Sequence, residues 1–190
     1  MKAIYYEKYG NISVLKQGEI DDPKKVLDKE VLIKVNFFSL NPLDYKLRNG
    51  MLKLMTFRTF PRTTGSDFSG EIVAKGESVN NFEIGEKVFG FLSQLNEGTS
   101  SQFIKVNQSI LSKAPTNIDI GKAAAVPLAA LTSYQALVQL AKIKKGNKVL
   151  INGASGGTGI FAIQIAKIFG AKVTSITSHR NINWMLDTFL

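Results

Sequence analysis

The chain has 190 residues, 44% of them apolar, with 24 basic side chains against 15 acidic ones, a net charge of +9, no cysteine and a single histidine. That is enough apolar material to bury a core in one or two domains, and the lack of cysteine excludes a disulfide framework and any thiolate metal site. With His179 alone, a catalytic zinc held by the usual nitrogen and sulfur ligands is excluded too, so the expected metal set is empty and redox chemistry must come from an organic cofactor.

The first residues, Met1-Lys2-Ala3-Ile4-Tyr5-Tyr6, lack the apolar run of a signal peptide. The most apolar window, 123–131, is too short to span a bilayer and contains Pro127. The expectation is a soluble, cytoplasmic protein with no membrane partner. The charge is unevenly placed: residues 142–190 hold seven basic side chains against Asp187 alone, so +6 of the +9 falls in that part. Such a surface attracts a multiply charged phosphate ligand. Nucleic acid is disfavoured as the partner, because no motif with interleaved aromatics accompanies the lysines.

In chain order, short strands are predicted at 3–6, 31–36, 67–75, 87–91 and 102–105, separated by Gly, Pro and Asn turns. Val31, Ile33 and Val35 alternate with Leu32 and Lys34, the mark of a half-buried strand. Closely spaced strands of this kind point to a barrel or sandwich. From 119 to 141 the pattern turns helical, interrupted at Pro127. An apolar strand at 148–152 then runs into Gly153-Ala154-Ser155-Gly156-Gly157-Thr158-Gly159, a helix follows at 158–169 through Ile160, Ile163, Ile165, Ile168 and Phe169, and a second strand is predicted at 172–177. This is a complete β-α-β unit. The fold class is therefore α/β with an all-β N-terminal part, divided as 1–115 (β domain), 116–141 (helical connector) and 142–190 (first β-α-β unit of a nucleotide-binding domain).

The glycine turn reads A-x-G-x-x-G at 154–159, with Ala154 in place of the first glycine of the dinucleotide fingerprint. Its glycines let the backbone approach a pyrophosphate, and the N–H groups of the following helix hold the charge. Ala154, Ser155, Gly156, Gly157, Thr158 and Gly159 are thus cofactor-binding candidates. At the end of the second strand, where an NAD enzyme places a carboxylate for the ribose 2′-hydroxyl, this chain has Ser178-His179-Arg180. A hydroxyl and a guanidinium fork bind a 2′-phosphate that a carboxylate would repel, so the sequence favours NADPH. Read alone, Arg180 is more simply a solvated surface residue past a strand.

Several segments in order resemble the medium-chain dehydrogenase/reductase superfamily, its zinc-free quinone oxidoreductase branch in particular. They are 41–50, opening Asn41-Pro42-Leu43-Asp44; 65–73, opening Gly65-Ser66-Asp67-Phe68; 82–90, with Gly85-Glu86-Lys87-Val88; 124–132, with Val126-Pro127-Leu128; and the glycine turn. In zinc-dependent relatives the positions of Asn41 and Ser66-Asp67 carry metal ligands. The resemblance implies a GroES-like β-barrel domain followed by a Rossmann domain, with NADPH and substrate in the cleft between them. It implies hydride transfer to a quinone or an α,β-unsaturated carbonyl.

Within that resemblance Asn41, Tyr45 and Lys46 are the catalytic candidates, all able to donate hydrogen bonds, and Asn41 and Thr132 are similar to the family's nicotinamide-side contacts. Each has an alternative: a turn residue before Pro42 for Asn41, partial core packing for Tyr45, a solvated cation or a contact to cofactor phosphate for Lys46. Asp67 is read as structural, bonded to backbone or to a base such as Arg48 or Arg62. The likeness is expected to fade after Asn181, leaving a C-terminally truncated, incomplete Rossmann domain of doubtful activity, for which a homo-oligomer or a complementing second polypeptide would supply the rest. The alternative is a non-catalytic remnant acting as an interaction or RNA-binding module.

Overall fold

The computed structural model describes residues 1–23, 25–54, 60–93 and 97–189. The chain divides into two compact units, Met1–Pro127 and Leu128–Leu190.

The first unit is dominated by strands: β1 (Lys2–Tyr6), β2 (Lys16–Glu19), β3 (Glu30–Ser39), β4 (Arg62–Thr63), β5 (Asp67–Lys75), β6 (Lys87–Phe91), β7 (Phe103–Asn107) and β8 (Leu111–Lys113). They form a five-stranded sheet in the order β7-β3-β5-β6-β8 and a three-stranded sheet in the order β2-β1-β4. All pairings in both sheets are antiparallel. The alternation read at 31–35 sets the register. Val31 and Ile33 face Val106 and Ile104 across the ladder and are fully buried with Phe68, Ile72 and Val88, whereas Lys34 is exposed. Each such side chain contributes about 1.5–3 kcal/mol by leaving water.

The register between β3 and β5 shifts between Val35 and Phe37, and Gly70 lies opposite Val35. A Cβ at Gly70 would come within 2.3 Å of the Lys34 carbonyl oxygen, so the bulge needs glycine there. Two short helices complete the unit, α1 (Pro42–Arg48) and α2 (Ile120–Ala123).

The second unit carries α3 (Pro127–Tyr134), a π-helical stretch at Gln135–Leu140, β9 (Lys148–Asn152), α4 (Gly157–Ile168), β10 (Lys172–Ile176), a 3-10 turn at His179–Asn181 and α5 (Ile182–Phe189). Pro127 begins α3 rather than breaking a longer helix, since a first-turn position needs no N–H. β9 and β10 pair in parallel from Lys172 opposite Lys148 to Ile176 opposite Asn152. One face of this sheet packs Val149, Ile151 and Val173 against Ile163 of α4 and Met185 of α5. On the other face Leu150 is 64% exposed.

The apolar end of the chain forms a helix, and one expectation, for α4, needs correction. Ile182, Met185, Leu186 and Phe189 recur at helical spacing, and α5 buries Met185 in the second core while Trp184 meets Phe189 edge-on with ring centres 5.5 Å apart. In α4 the buried positions are Gly159, Ala162, Ile163 and Ala166, and Ile168 is 80% exposed. The small residues form the packed stripe because they let the helix lie close to the sheet.

Candidate functional site

β9 delivers the chain to Gly153, which has φ of 73°, and the Ala154 N–H then donates to the Ile176 carbonyl at 3.0 Å, prolonging the β9–β10 contact into the turn. Ala154 is buried, which leaves no room for a larger residue. The Gly156 N–H closes the turn on the Gly153 carbonyl at 2.9 Å, and Gly156 caps α4 with extended backbone. A Cβ at Gly159 would lie 2.5 Å from the Gly153 carbonyl oxygen, so close helix–turn packing requires glycine there. Gly156, Gly157 and Thr158 are exposed, and the first-turn N–H groups of α4 have no intrahelical acceptor. An open glycine surface backed by helix N–H donors fits the pyrophosphate of a dinucleotide. Ser133 Oγ donates to the Thr158 carbonyl at 2.7 Å and so fixes the start of α4 against α3.

Ser178, His179 and Arg180 follow β10 after Thr177 and are all exposed. Ser178 precedes the 3-10 turn, whose last residue, Asn181, donates its backbone N–H to the Ser178 carbonyl at 2.9 Å. The Ser155 hydroxyl in the glycine turn accepts from Thr177 Oγ1 at 2.7 Å and from Asn181 Nδ2 at 2.9 Å. The two halves of the predicted cofactor set are thereby tied to each other. Thr177 and Asn181 were not singled out from the sequence, because neither belongs to the glycine pattern. Thr132, on α3, is exposed and donates its hydroxyl to the Leu128 carbonyl at 2.7 Å.

In the first unit, Asn41 precedes α1 with extended backbone, and its N–H donates to the Asp44 carboxylate. Its side-chain Nδ2 donates to Asp67 Oδ2 at 2.8 Å, and Ser39 Oγ donates to the same oxygen at 2.9 Å. Asp44 Oδ1 accepts from the Gly65 N–H at 2.8 Å. Asp44 and Asp67 are both buried. These carboxylates hold the 39–44 and 64–67 segments together, and a side-chain amide engaged with Asp67 is a poor metal ligand. Tyr45, one residue beyond Asp44, is 46% exposed, and Lys46 is half-buried. Asn41, Tyr45 and Lys46 therefore share one short stretch of the first unit, while Thr132, the glycine turn and Ser178–Arg180 belong to the second.

Residues 27–116 match the alcohol dehydrogenase GroES-like domain family. The chain is 36% identical over 191 residues to a chloroplastic quinone-oxidoreductase homologue of Spinacia oleracea, an alignment covering 97% of this chain and 58% of that protein. It is 34% identical to a mitochondrial NAD(P)H oxidoreductase of Mus musculus, covering 94% of this chain and 49% of that protein. Among solved structures, the quinone oxidoreductase from Coxiella burnetii superposes with a TM-score of 0.91 at 36% identity, over 98% of this chain and 59% of that one.

Over nearly its whole length the chain is similar to quinone-oxidoreductase homologues and to solved structures of the medium-chain dehydrogenase/reductase superfamily, and residues 27–116 match the GroES-like domain. Its strand-rich first unit carries the GroES-like domain and its second a partial Rossmann-like sheet, as the resemblance implied. With 97% of the chain aligned, the likeness runs past Asn181 into α5, further than the sequence motifs alone indicated. The chain spans about 58% of the length of the curated relative from spinach. No helix among the described residues is long and apolar enough to cross a membrane.

Proposed function

We propose that the chain carries the substrate domain and the first nucleotide-binding unit of an NADPH-dependent, zinc-independent oxidoreductase that reduces a quinone or an α,β-unsaturated carbonyl. The observation that carries this reading is the pairing of an open glycine turn at 154–159 with a hydroxyl and a guanidinium, Ser178 and Arg180, on the turn bonded to it through Ser155. Names among the relatives, a quinone-oxidoreductase homologue and an NAD(P)H oxidoreductase, support the redox class and the nicotinamide cofactor. When bound, the reduced nicotinamide supplies a hydride.

The chain's own residues have other tasks. In this reading Ala154, Ser155, Gly156, Gly157, Thr158 and Gly159 receive the pyrophosphate, and Ser178, His179 and Arg180 receive the 2′-phosphate end. Thr132 is assigned to the cofactor. Tyr45, Lys46 and Asn41 are assigned as donors that polarise the acceptor oxygen, with the proton coming from solvent. The exposed Leu150 and Ile176 support association with a second copy or a complementing polypeptide. Relatives with chloroplastic and mitochondrial names mean that likeness to them does not fix a cytoplasmic location. The remnant and RNA-binding alternative has no support from relatives named as oxidoreductases.

The test is a direct titration of the chain with NADPH and with NADH, followed by NADPH oxidation at 340 nm in the presence of a benzoquinone or an alkenal. Tighter binding of NADPH, with acceptor-dependent oxidation once the chain is supplied with the remaining nucleotide-binding strands of a relative, is the expected result. No dinucleotide binding, or acceptor-independent rates throughout, overturns the reading.

A further inference from the structure

We propose that Asn181 is a positioning residue for 2′-phosphate discrimination: by bonding to Ser155 it holds the Ser178–Arg180 segment in register with the glycine turn. This rests on the NADPH reading above. The segment that would meet the 2′-phosphate is short and exposed, and an exposed arginine gives little discrimination unless its backbone is fixed.

Two bonds fix it, one on each side. Thr177, immediately before Ser178, donates Oγ1 to Ser155 Oγ at 2.7 Å, and Asn181, immediately after Arg180, donates Nδ2 to the same atom at 2.9 Å. The Asn181 N–H to Ser178 carbonyl bond then closes the three intervening residues into one turn. All three anchoring side chains are half-buried, whereas Ser178, His179 and Arg180 between them are exposed.

The chemistry of Ser155 follows from the same contacts. A hydroxyl has two acceptor lone pairs and one proton. With both lone pairs taken by Thr177 and Asn181, the Ser155 proton is left to donate, which suits an anionic oxygen at the glycine turn. Asn181 thus acts on both phosphate sites of the cofactor while touching neither. Its effect falls mainly on the 2′-phosphate, because Thr177 still holds Ser155 when the Asn181 side chain is lost, whereas the far end of the Ser178–Arg180 turn then keeps its backbone bond to Ser178 but loses its tie to the glycine turn.

Dissociation constants of NADPH and NADH for the full chain, for Asn181→Ala and for Thr177→Val test this. For Asn181→Ala, NADPH affinity is expected to fall about tenfold, the scale of one intramolecular hydrogen bond, with NADH affinity within about twofold of the parent. Thr177→Val, which keeps the branched shape of threonine, should shift the ratio in the same direction, and Asn181→Gln should restore part of it. In an Arg180→Ala background the effect of Asn181→Ala on the ratio should shrink, since the charged group it positions is gone and only Ser178 and His179 remain. An equal loss for both cofactors would reduce Asn181 to a general support of the glycine turn and overturn the proposal, as would an unchanged ratio. A parent chain that binds NADH as tightly as NADPH, or binds neither, fails before any variant is made and overturns the NADPH reading together with this inference.

Discussion

Asn41 donates its side-chain amide to Asp67 at 2.8 Å, joining the residue that opens α1 to the first residue of β5. Asp67 is fully buried, so each donor to its carboxylate offsets a desolvation cost. Replacing Asn41 by Ala is expected to lower stability by about 1–3 kcal/mol, the cost of removing a partner from a buried polar group. A lowered urea midpoint at unchanged slope is the expected signature, and an unchanged midpoint would show that the bond contributes nothing.

Two glycines of the turn before α4 should behave differently. A Cβ at Gly159 would sit 2.5 Å from the Gly153 and 2.6 Å from the Ala154 carbonyl oxygen, so Gly159→Ala must push α4 off the turn at a cost of about 1–3 kcal/mol. At Gly157 the nearest atom to a Cβ is Ala129 Cβ at 3.9 Å, and Gly157→Ala should leave the melting temperature within experimental scatter. Equal shifts in thermal denaturation would contradict this packing.

Arg180 is exposed beside Ser178, and its proposed role depends on charge. Arg180→Asp should abolish a preference for NADPH, with a loss of about 1.5–3 kcal/mol in NADPH binding, the range for a hydrogen bond to a charged group. Titration calorimetry with both cofactors gives the answer. A variant that keeps the preference removes Arg180 from the site.

Burial raises the Tyr6 phenol above its ordinary value of 10.0, and the neighbouring Arg62 guanidinium opposes this only in part. A phenol whose folded pKa exceeds its unfolded one stabilises the fold below the unfolded pKa, and that contribution is lost as pH rises through the folded pKa. The β-rich unit should therefore lose stability above about pH 10. Tyr6→Phe should flatten that alkaline limb in melts recorded against pH, and a limb of unchanged steepness would assign it to other groups.

No stoichiometric zinc is expected. The sequence has no cysteine and one histidine, too few of the usual zinc ligands for a catalytic or a structural site. Elemental analysis of protein purified without added metal should find well under one zinc per chain, and one tightly held zinc would contradict the proposed zinc-independent chemistry.

Local pattern was enough to read the strand, glycine turn, helix and strand of the second unit. The predicted strands at 148–152 and 172–177 appear as Lys148–Asn152 and Lys172–Ile176, since apolar runs bounded by glycines are set by near neighbours. The alternation at 31–35 likewise determined which face of β3 is buried. The helical spacing of Ile182, Met185, Leu186 and Phe189 was equally present in the sequence, although only the burial of Met185 shows that the segment belongs to a core. Site architecture was another matter. Asn41 meets Asp67 and Asn181 meets Ser155 across 26 residues each, and Asp44 meets Gly65 across 21. No local propensity encodes such pairs: a polar side chain has many partners within reach of an unfolded chain, and the folded backbone alone decides which of them lies at 2.8 or 2.9 Å.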